Sequence, residues 1–455
     1  MPRTRSYEID MCSGAILPKL LQFAVPLMLS SILQLLFNAA DIVVVGRFAG
    51  DNSLAAVGST TSLINLLTNL FIGLSVGANI LAARAYGAND HKGLKEIVHT
   101  SMLLSMISGV VLAIVGFFLA ETLLGLMQSP PAVLDLAALY LRIYFLGMPA
   151  TLIYNFGAAL LRAAGDTRRP LYYLLLSGIL NVILNLILVI VFHLDVAGVA
   201  IATVASQCLS ALLVVRCMLL EPGGVHLVLQ HLRIHPAQLK EILRIGLPAG
   251  LQSTLFSLSN VVIQSTINTF GEVVVAGSAA ASNIEGFVYA AMNAFYQANV
   301  SFTSQNMGAG RHDRIRPILY RTIVCILVVG LLLGGLVILL GTQLLGFYSD
   351  SPVVIAAGMD RLVILCSTYA LCGLMEAYVG SLRGLGYSVM PMIVSLVGAC
   401  GLRLVWIATI FQIPRFHTIQ MLYVSYPVSW FLTTATHAIC FLFAIRKLRK
   451  RFADI

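Results

Sequence analysis

Side chains that could carry chemistry are few in this chain, because 59% of its 455 residues are hydrophobic and only 10% are charged. One group consists of Gln34, Asn38 and Asp41, which are three or four positions apart and therefore share one face of a helix. A polar face within an apolar helix must contact protein or a water-filled cavity. Asp41 is the acid of this face, and an ionisable residue within an apolar segment is by default a functional candidate.

Two later apolar segments carry side chains that could complete a site with Asp41. Asn181 and Asn185 are one helical turn apart, and Thr203 follows in the next segment. If the three segments converge, a carboxylate, amide oxygens and a hydroxyl form an oxygen-rich nest. Such a nest can bind a hard monovalent cation, or it can hold a proton on Asp41. The alternative is that the asparagines only join helices by hydrogen bonds.

The second half of the chain has a different set of charges within its apolar segments, namely Glu285, Glu376 and Arg403. An ion pair between one glutamate and Arg403 is one interpretation. The other glutamate is then a candidate for binding a cationic substrate or a second proton. Arg142 and Arg361 lie nearer the ends of their segments, where a long side chain can reach the membrane interface.

The apolar segments that position these residues are long enough to cross a membrane as helices. A hydrocarbon core of about 30 Å takes roughly 20 helical residues, and 10% charged residues is far below the roughly 25% of soluble domains. The chain is therefore predicted to be an all-α polytopic membrane protein. We place twelve spans near 16–40, 53–80, 96–118, 133–160, 171–192, 197–219, 246–270, 275–303, 318–341, 354–381, 390–411 and 418–445.

Charge indicates the orientation of these spans and the kind of partner. Most of the 28 Lys and Arg residues lie at the termini or in loops on one side, and the positive-inside rule places that side, with both termini, in the cytoplasm. The net charge of +9 is thus a topology signal, so we expect contact with lipid headgroups and no nucleic-acid partner. The eight cysteines form no CxxC or Cys/His spacing, so we expect no disulfide, metal site or cofactor.

An internal repeat divides the chain into halves of nearly equal length. The pattern Arg-x-x-Gly-x-x-x-x-Pro begins at Arg162 and again at Arg383, 221 residues later. Six spans per half is an even number, so both halves insert with the same sense and should be related by an axis along the membrane normal. We therefore predict an N-terminal six-helix lobe at 1–220, a cytoplasmic linker at 221–244 and a C-terminal six-helix lobe at 245–455.

Several of these features together resemble the multidrug and toxic compound extrusion (MATE) family, in particular its bacterial DinF-like branch. The first helix opens with Val25-Pro26-Leu27 and ends its polar face at Asp41. The Arg-x-x-Gly turn is present in each half, and the eighth span is followed by Gln305-Asn306-Met307-Gly308-Ala309-Gly310. The resemblance covers nearly the whole chain.

The resemblance implies a V-shaped pair of six-helix lobes in the bacterial cytoplasmic membrane, which we expect to be a monomer. It further implies alternating access and the exchange of Na⁺ or H⁺ for small organic, often cationic, compounds. The family's N-lobe cation site matches Asp41, Asn181 and Thr203, whereas Asn185 stands where the family often has a second Asp. Acids that some members use in the C-lobe have no exact match, and Glu285 and Glu376 are the candidates to replace them.

Other functions fit this sequence less well. A lipid-linked saccharide flippase of the same superfamily would need a more cationic central cavity than these mostly acidic or neutral candidates provide. A transporter of the major facilitator type would usually have a basic Gly-x-x-x-Asp loop after the second span, and Arg84-Ala85-Tyr86-Gly87-Ala88 is different. A membrane enzyme is disfavoured because no nucleophilic or metal-binding cluster is evident, and a channel because no segment resembles a filter.

Overall fold

The computed structural model describes residues 7–126, 131–221 and 223–453, and the regular structure in these ranges is helical. Ten helical segments are long and apolar enough to cross a membrane, and the bent pair α4 and α5 adds an eleventh. The α-helices are α1 (Ile16–Phe48), α2 (Asp51–Gly87), α3 (His91–Leu126), α4 (Pro131–Leu146), α5 (Met148–Ala163), α6 (Arg168–Asn185), α7 (Asp195–Leu220), α8 (Pro236–Asn268), α9 (Glu272–Gly308), α10 (Ile315–Leu339), α11 (Gly341–Gly346), α12 (Pro352–Gly384), α13 (Val389–Ser395), α14 (Leu402–Ala408) and α15 (Ile419–Ala453).

Each of the twelve predicted spans contains one of these helices or a pair of them, and the all-α membrane fold is confirmed. The seventh span corresponds to α8, which is 33 residues long but less apolar than the ten segments because of residues such as Gln252 and Asn260. The fourth predicted span is bent by 47° at the junction between α4 and α5. Pro149, in the first turn of α5, explains the break, because proline favours the start of a helix over its interior.

The chain forms two compact units. The first contains Leu29–Thr254 and the start of the chain up to Asp10, and the second contains Met11–Met28 and Leu255–Ile455. Helices α1 and α8 therefore change unit along their length, and the segment 221–244 lies within the first unit. The lobe boundaries at 1–220 and 245–455 remain predictions.

In both units, a hydrogen bond from an asparagine side chain to a backbone carbonyl joins the second and fourth spans. In the first, the Asn79 side-chain amide donates to the Ala159 carbonyl at 2.7 Å. In the second, the Asn299 amide donates to the Ala377 carbonyl at 2.6 Å. A buried amide bonded to a backbone carbonyl satisfies groups that lipid cannot satisfy. The repeat seen in the sequence is thus present in the helix packing of each unit.

Small residues permit close helix contacts, as is typical of membrane bundles. In the first unit, a Cβ atom on Gly73 of α2 would lie 2.2 Å from the Gly250 Cα of α8. These two backbones are therefore in direct contact, which any larger residue at position 73 would prevent.

The fifth span of each repeat contains a π-helical segment. In the first unit it is Leu186–Val191, which directly follows α6. In the second it is Leu396–Gly401, between α13 and α14. Such segments are uncommon and frequently lie at functional sites, and here each adjoins a candidate residue, Asn185 in the first unit and Arg403 in the second.

Candidate functional site

Asp41 lies within a network of polar side chains in the first unit. The Asn185 side-chain amide donates to Asp41 Oδ1 and to Asn181 Oδ1, the latter at 3.2 Å. The Asn181 amide in turn approaches Thr203 Oγ1 at 3.4 Å. Asn185 is fully buried and Asn181 is 5% exposed. The structure therefore brings Asp41, Asn181, Asn185 and Thr203 together from α1, α6 and α7.

The contact between α1 and α6 depends on Phe37 and Gly178. A Cβ atom on Gly178 would lie 1.8 Å from the Phe37 ring, so the ring rests directly on the backbone of α6. Phe37 and Asp41 are one turn apart on α1, and Gly178, Asn181 and Asn185 share one face of α6. Seating the ring at Gly178 therefore aligns the Asp41 carboxyl with the Asn185 amide.

Gln34 and Asn38 are not part of this network. Both side chains are exposed, and neither has a hydrogen bond to another residue within the described ranges. The face of α1 that meets α6 is centred on Phe37 and Asp41, and Asn38 lies about 100° around the helix from Phe37. Of the three polar residues expected to share one face of α1, only Asp41 therefore contacts the asparagines of α6.

The donor set suits a hard cation or a proton. Asn185 Oδ1 is buried and has no hydrogen-bond partner, while Thr203 Oγ1 donates to the Val199 carbonyl at 2.9 Å and keeps its lone pairs for acceptance. Together with the carboxylate, these are oxygen ligands of the type that hard cations prefer. A protonated Asp41 could instead donate to Asn185 Oδ1, which would satisfy that oxygen.

The second unit contains a buried ion pair that corrects the sequence-based interpretation. Glu285 pairs with Arg361, through Nε to Oε1 at 2.9 Å and Nη2 to Oε2 at 3.0 Å. Arg361 Nη1 also donates to Ser278 Oγ at 2.8 Å, and the residue is only 7% exposed. The predictions that a glutamate pairs with Arg403 and that Arg361 reaches the interface are therefore wrong. The planar guanidinium matches a carboxylate in this two-bond geometry, and helix packing places Arg361 beside Glu285.

Arg403 and Glu376 have no such partners. Arg403 is 4% exposed and donates from Nε to Ser429 Oγ at 2.8 Å. Its guanidinium lies 4.1 Å from the centroid of the Tyr426 ring. Glu376 is partly buried on α12, and it forms no hydrogen bond or ion pair with the residues that the structure describes. Arg142, in contrast, is exposed and pairs with Glu121 at 2.8 Å.

Sequence reasoning missed Phe37, Gly178 and the role of Arg361. A glycine within an apolar helix is a signal of close helix approach, so Gly178 could have been noticed, although its partner could not have been named. Glu285 and Arg361 are 76 residues apart, and no local pattern links them. Their pairing depends on how α9 and α12 are rotated against each other.

Comparison with known proteins identifies the family of this chain. The family model described as MatE matches residues 26–187 and 248–409, one block in each repeat. The chain belongs to the MatE family. This match confirms the family inferred from the sequence. MATE proteins are membrane transporters and not enzymes.

Two relatives and one solved structure illustrate this membership. The chain is 28% identical over 90% of its length to the probable multidrug resistance protein YoeA of Bacillus subtilis, covering 89% of that protein. It is 26% identical to the probable multidrug resistance protein YpnP of the same organism, over 87% of this chain and 88% of that one. A solved outward-facing multidrug resistance MATE family transporter has a TM-score of 0.90 at 22% identity, over 98% of this chain and 100% of that chain.

Proposed function

We propose that this MATE protein is a secondary-active efflux transporter that exchanges H⁺ or Na⁺, bound at Asp41, for small organic and mainly cationic compounds. The network of Asp41 with Asn181, Asn185 and Thr203 is the observation that carries the proposal. It combines one partly buried acid with neutral oxygen ligands from two neighbouring helices. The multidrug resistance names of the relatives support efflux as the direction of transport.

Coupling follows from the different contacts of Asp41 in its two states. The ionised carboxylate accepts a hydrogen bond from the Asn185 amide, whereas a protonated or Na⁺-bound carboxyl would engage Asn185 Oδ1. Either change alters the contact of α1 with α6. A ligand shifts a conformational equilibrium only through its differential affinity for the two states. Ion binding at Asp41 therefore favours one packing of α1, and substrate binding favours the other.

Glu376 is the acid that we assign to the cationic part of the substrate. Glu285 is neutralised by Arg361, whereas Glu376 forms no ion pair with a described residue and has only the more distant charge of Arg383 within electrostatic reach. An unpaired acid at such a position is costly unless it has a functional partner. A cationic compound supplies that partner during transport.

The proposal includes a setting for the protein. We place it as a monomer in a bacterial plasma membrane with both termini in the cytoplasm, in accordance with the positive-inside rule. The flippase alternative has no comparable support, because YoeA and YpnP are named for multidrug resistance.

The test is efflux of ethidium, a permanent organic cation, from proteoliposomes under separately imposed H⁺ and Na⁺ gradients. Asp41→Asn should abolish gradient-driven efflux of ethidium and leave the protein folded, because the amide replaces the carboxyl with little change in volume. Glu121→Gln is the matched control, since Glu121 is exposed, and it should transport as the wild type does. Undiminished gradient-driven efflux by Asp41→Asn would refute the assignment.

A further inference from the structure

The linker between α7 and α8 is docked on the start of α3. The His99 Nε2 atom accepts a hydrogen bond from the Val228 backbone amide at 3.1 Å, and Thr100 Oγ1 accepts one from the His235 backbone amide at 3.1 Å. His99 is 1% exposed and Thr100 is fully buried. Two buried side chains of the first unit thus hold the linker backbone at two points.

The bond to Val228 requires the neutral form of the His99 ring. Because the amide is the donor, Nε2 must keep its lone pair, and the ring proton is on Nδ1, which donates to the Lys95 carbonyl at 2.7 Å. A second proton would turn Nε2 into a donor that faces another donor. It would also bury a positive charge without an acceptor on that side, which is strongly unfavourable. Release of the linker is therefore coupled to protonation of His99.

The titratable groups around His99 leave this coupling in place. Lys95 on α3 and His231 in the linker lie within electrostatic reach of His99, and both oppose a further positive charge. His235 acts in the opposite direction, because its protonated ring would attract Glu96 Oε1, which is 4.0 Å from its Nδ1. Both members of that pair are partly exposed, so their attraction is weak.

Docking of the linker also fixes the start of α8. Pro236 opens α8 directly after His235, and the neutral Gln238 side chain in the first turn donates to Glu96 Oε2 on α3 at 3.2 Å. Helix α8 begins in the first unit and ends in the second. Its anchorage to α3 therefore bears on any step of transport in which α8 moves.

We propose that the linker is a cytoplasmic pH sensor, in which protonation of His99 releases the linker from α3 and slows transport. This inference rests on the proposed efflux function and its topology, which place the linker in the cytoplasm. When H⁺ is the exchanged ion, release limits proton entry into a cytoplasm that is already acidic.

The direction of the pH response follows from the proton count of the two states. The docked state binds one proton fewer than the released state, so acid favours release. An exposed histidine has a pKa of about 6.5. Docking is therefore complete above this pH and weakens as the pH falls below it.

The first experiment measures hydrogen–deuterium exchange of the Val228 and His235 amides in the purified full chain at about pH 7.5 and about pH 5.5, which bracket the titration of histidine. Protection is calculated against an unstructured peptide at the same pH. In the wild type we expect it to fall about tenfold at the lower pH, one unit below that pKa. His99→Gln should be protected equally at both pH values, because the glutamine oxygen accepts the bond and does not titrate. His226→Gln, at an exposed linker histidine, is the matched control and should respond as the wild type does.

Thr100→Val is a second variant in case His99→Gln does not dock. Valine has nearly the shape of threonine but cannot accept the His235 bond, so docking should be weaker and release should begin at a higher pH than in the wild type. Equal protection of the wild type at the two pH values, a response of His99→Gln that matches the wild type, or an unchanged release pH in Thr100→Val would each overturn the proposal.

The second experiment measures ethidium transport in inverted membrane vesicles, whose cytoplasmic side faces the medium. The medium is set to each of the two pH values while the pH difference across the membrane is held constant. Wild type and His99→Gln then experience the same driving force, so the ratio of their rates isolates the sensor. We expect equal rates at the higher pH and a severalfold slower wild type at the lower pH. A ratio that does not change with pH would show that docking does not control transport, which also overturns the proposal.

Failure of the efflux proposal has a different signature. Asp41→Asn should lose gradient-driven transport at both pH values, while its Val228 and His235 amides respond to pH as in the wild type. If Asp41→Asn transports normally, but acid still exposes these amides and slows transport only in chains that keep His99, ion coupling at Asp41 is wrong and the pH sensor stands.

Discussion

Asp41 is the single carboxylate of its network, and its partners determine what it can do. Asn185 is fully buried and supplies both a donor to Asp41 and an unpaired oxygen. A neutral partner leaves the network with one negative charge at most. One monovalent ion or one proton therefore neutralises it completely, which agrees with an exchange of single charges.

The Glu285–Arg361 pair gives the sharpest stability prediction for a single residue. Replacing Arg361 by Met leaves the Glu285 carboxylate buried without a partner, and this should lower the free energy of unfolding by about 3–5 kcal/mol. The double variant Glu285→Met with Arg361→Met should recover much of the loss, because neither charge remains. Denaturant unfolding in detergent measures both changes.

Arg142 provides the comparison for this prediction. It pairs with Glu121 at 2.8 Å, but both side chains are exposed. Removing an exposed pair costs about 1 kcal/mol or less, so Arg142→Met should be nearly neutral. If Arg361→Met is equally neutral, the ion pair does not hold α9 and α12 together.

At the level of helices, the α1–α6 contact determines whether the Asp41 network can assemble. Gly178→Ala places a Cβ atom where the Phe37 ring now lies, so the ring must leave the backbone of α6 and α1 loses the packing that holds Asp41 beside Asn185. We expect gradient-driven efflux of ethidium to fall at least tenfold while the fold is retained. Efflux by proteoliposomes measures this change.

A compensating variant distinguishes local displacement from general damage. Phe37→Leu removes the ring, so adding it to Gly178→Ala should restore much of the efflux. If efflux by the double variant is no greater than efflux by Gly178→Ala alone, packing of the Phe37 ring on Gly178 does not hold Asp41 beside Asn185.

The helices themselves were predictable from the sequence, whereas their rotation was not. Long apolar runs fix how deep a residue lies in the membrane, and all twelve predicted spans contain helices. Hydropathy does not say which neighbour a side chain faces. For this reason the sequence places Arg361 at the interface although it is buried against Glu285, and it places Gln34 in the Asp41 network although Gln34 is exposed. The bend between α4 and α5 could not be predicted, because the apolar run continues through it.

Across the whole molecule, the two repeats share their helix packing and differ in the charged residues within their spans. The Asn79 and Asn299 amides make the same contact in each unit, and both fifth spans contain a π-helical segment. The candidate charges, in contrast, are one acid in the first unit and a larger mixed set in the second. Ion coupling and substrate recognition are therefore assigned to different units of one duplicated fold.

The most direct test of this account is ion movement driven by substrate alone. Proteoliposomes without an ion gradient are given an inward gradient of ethidium, and trapped pH-sensitive and Na⁺-sensitive dyes report on the lumen. We predict that ethidium entry drives H⁺ or Na⁺ outward in the wild type and drives neither ion in Asp41→Asn. Ethidium entry through the wild type without ion movement, or equal ion movement through Asp41→Asn, would contradict the exchange mechanism.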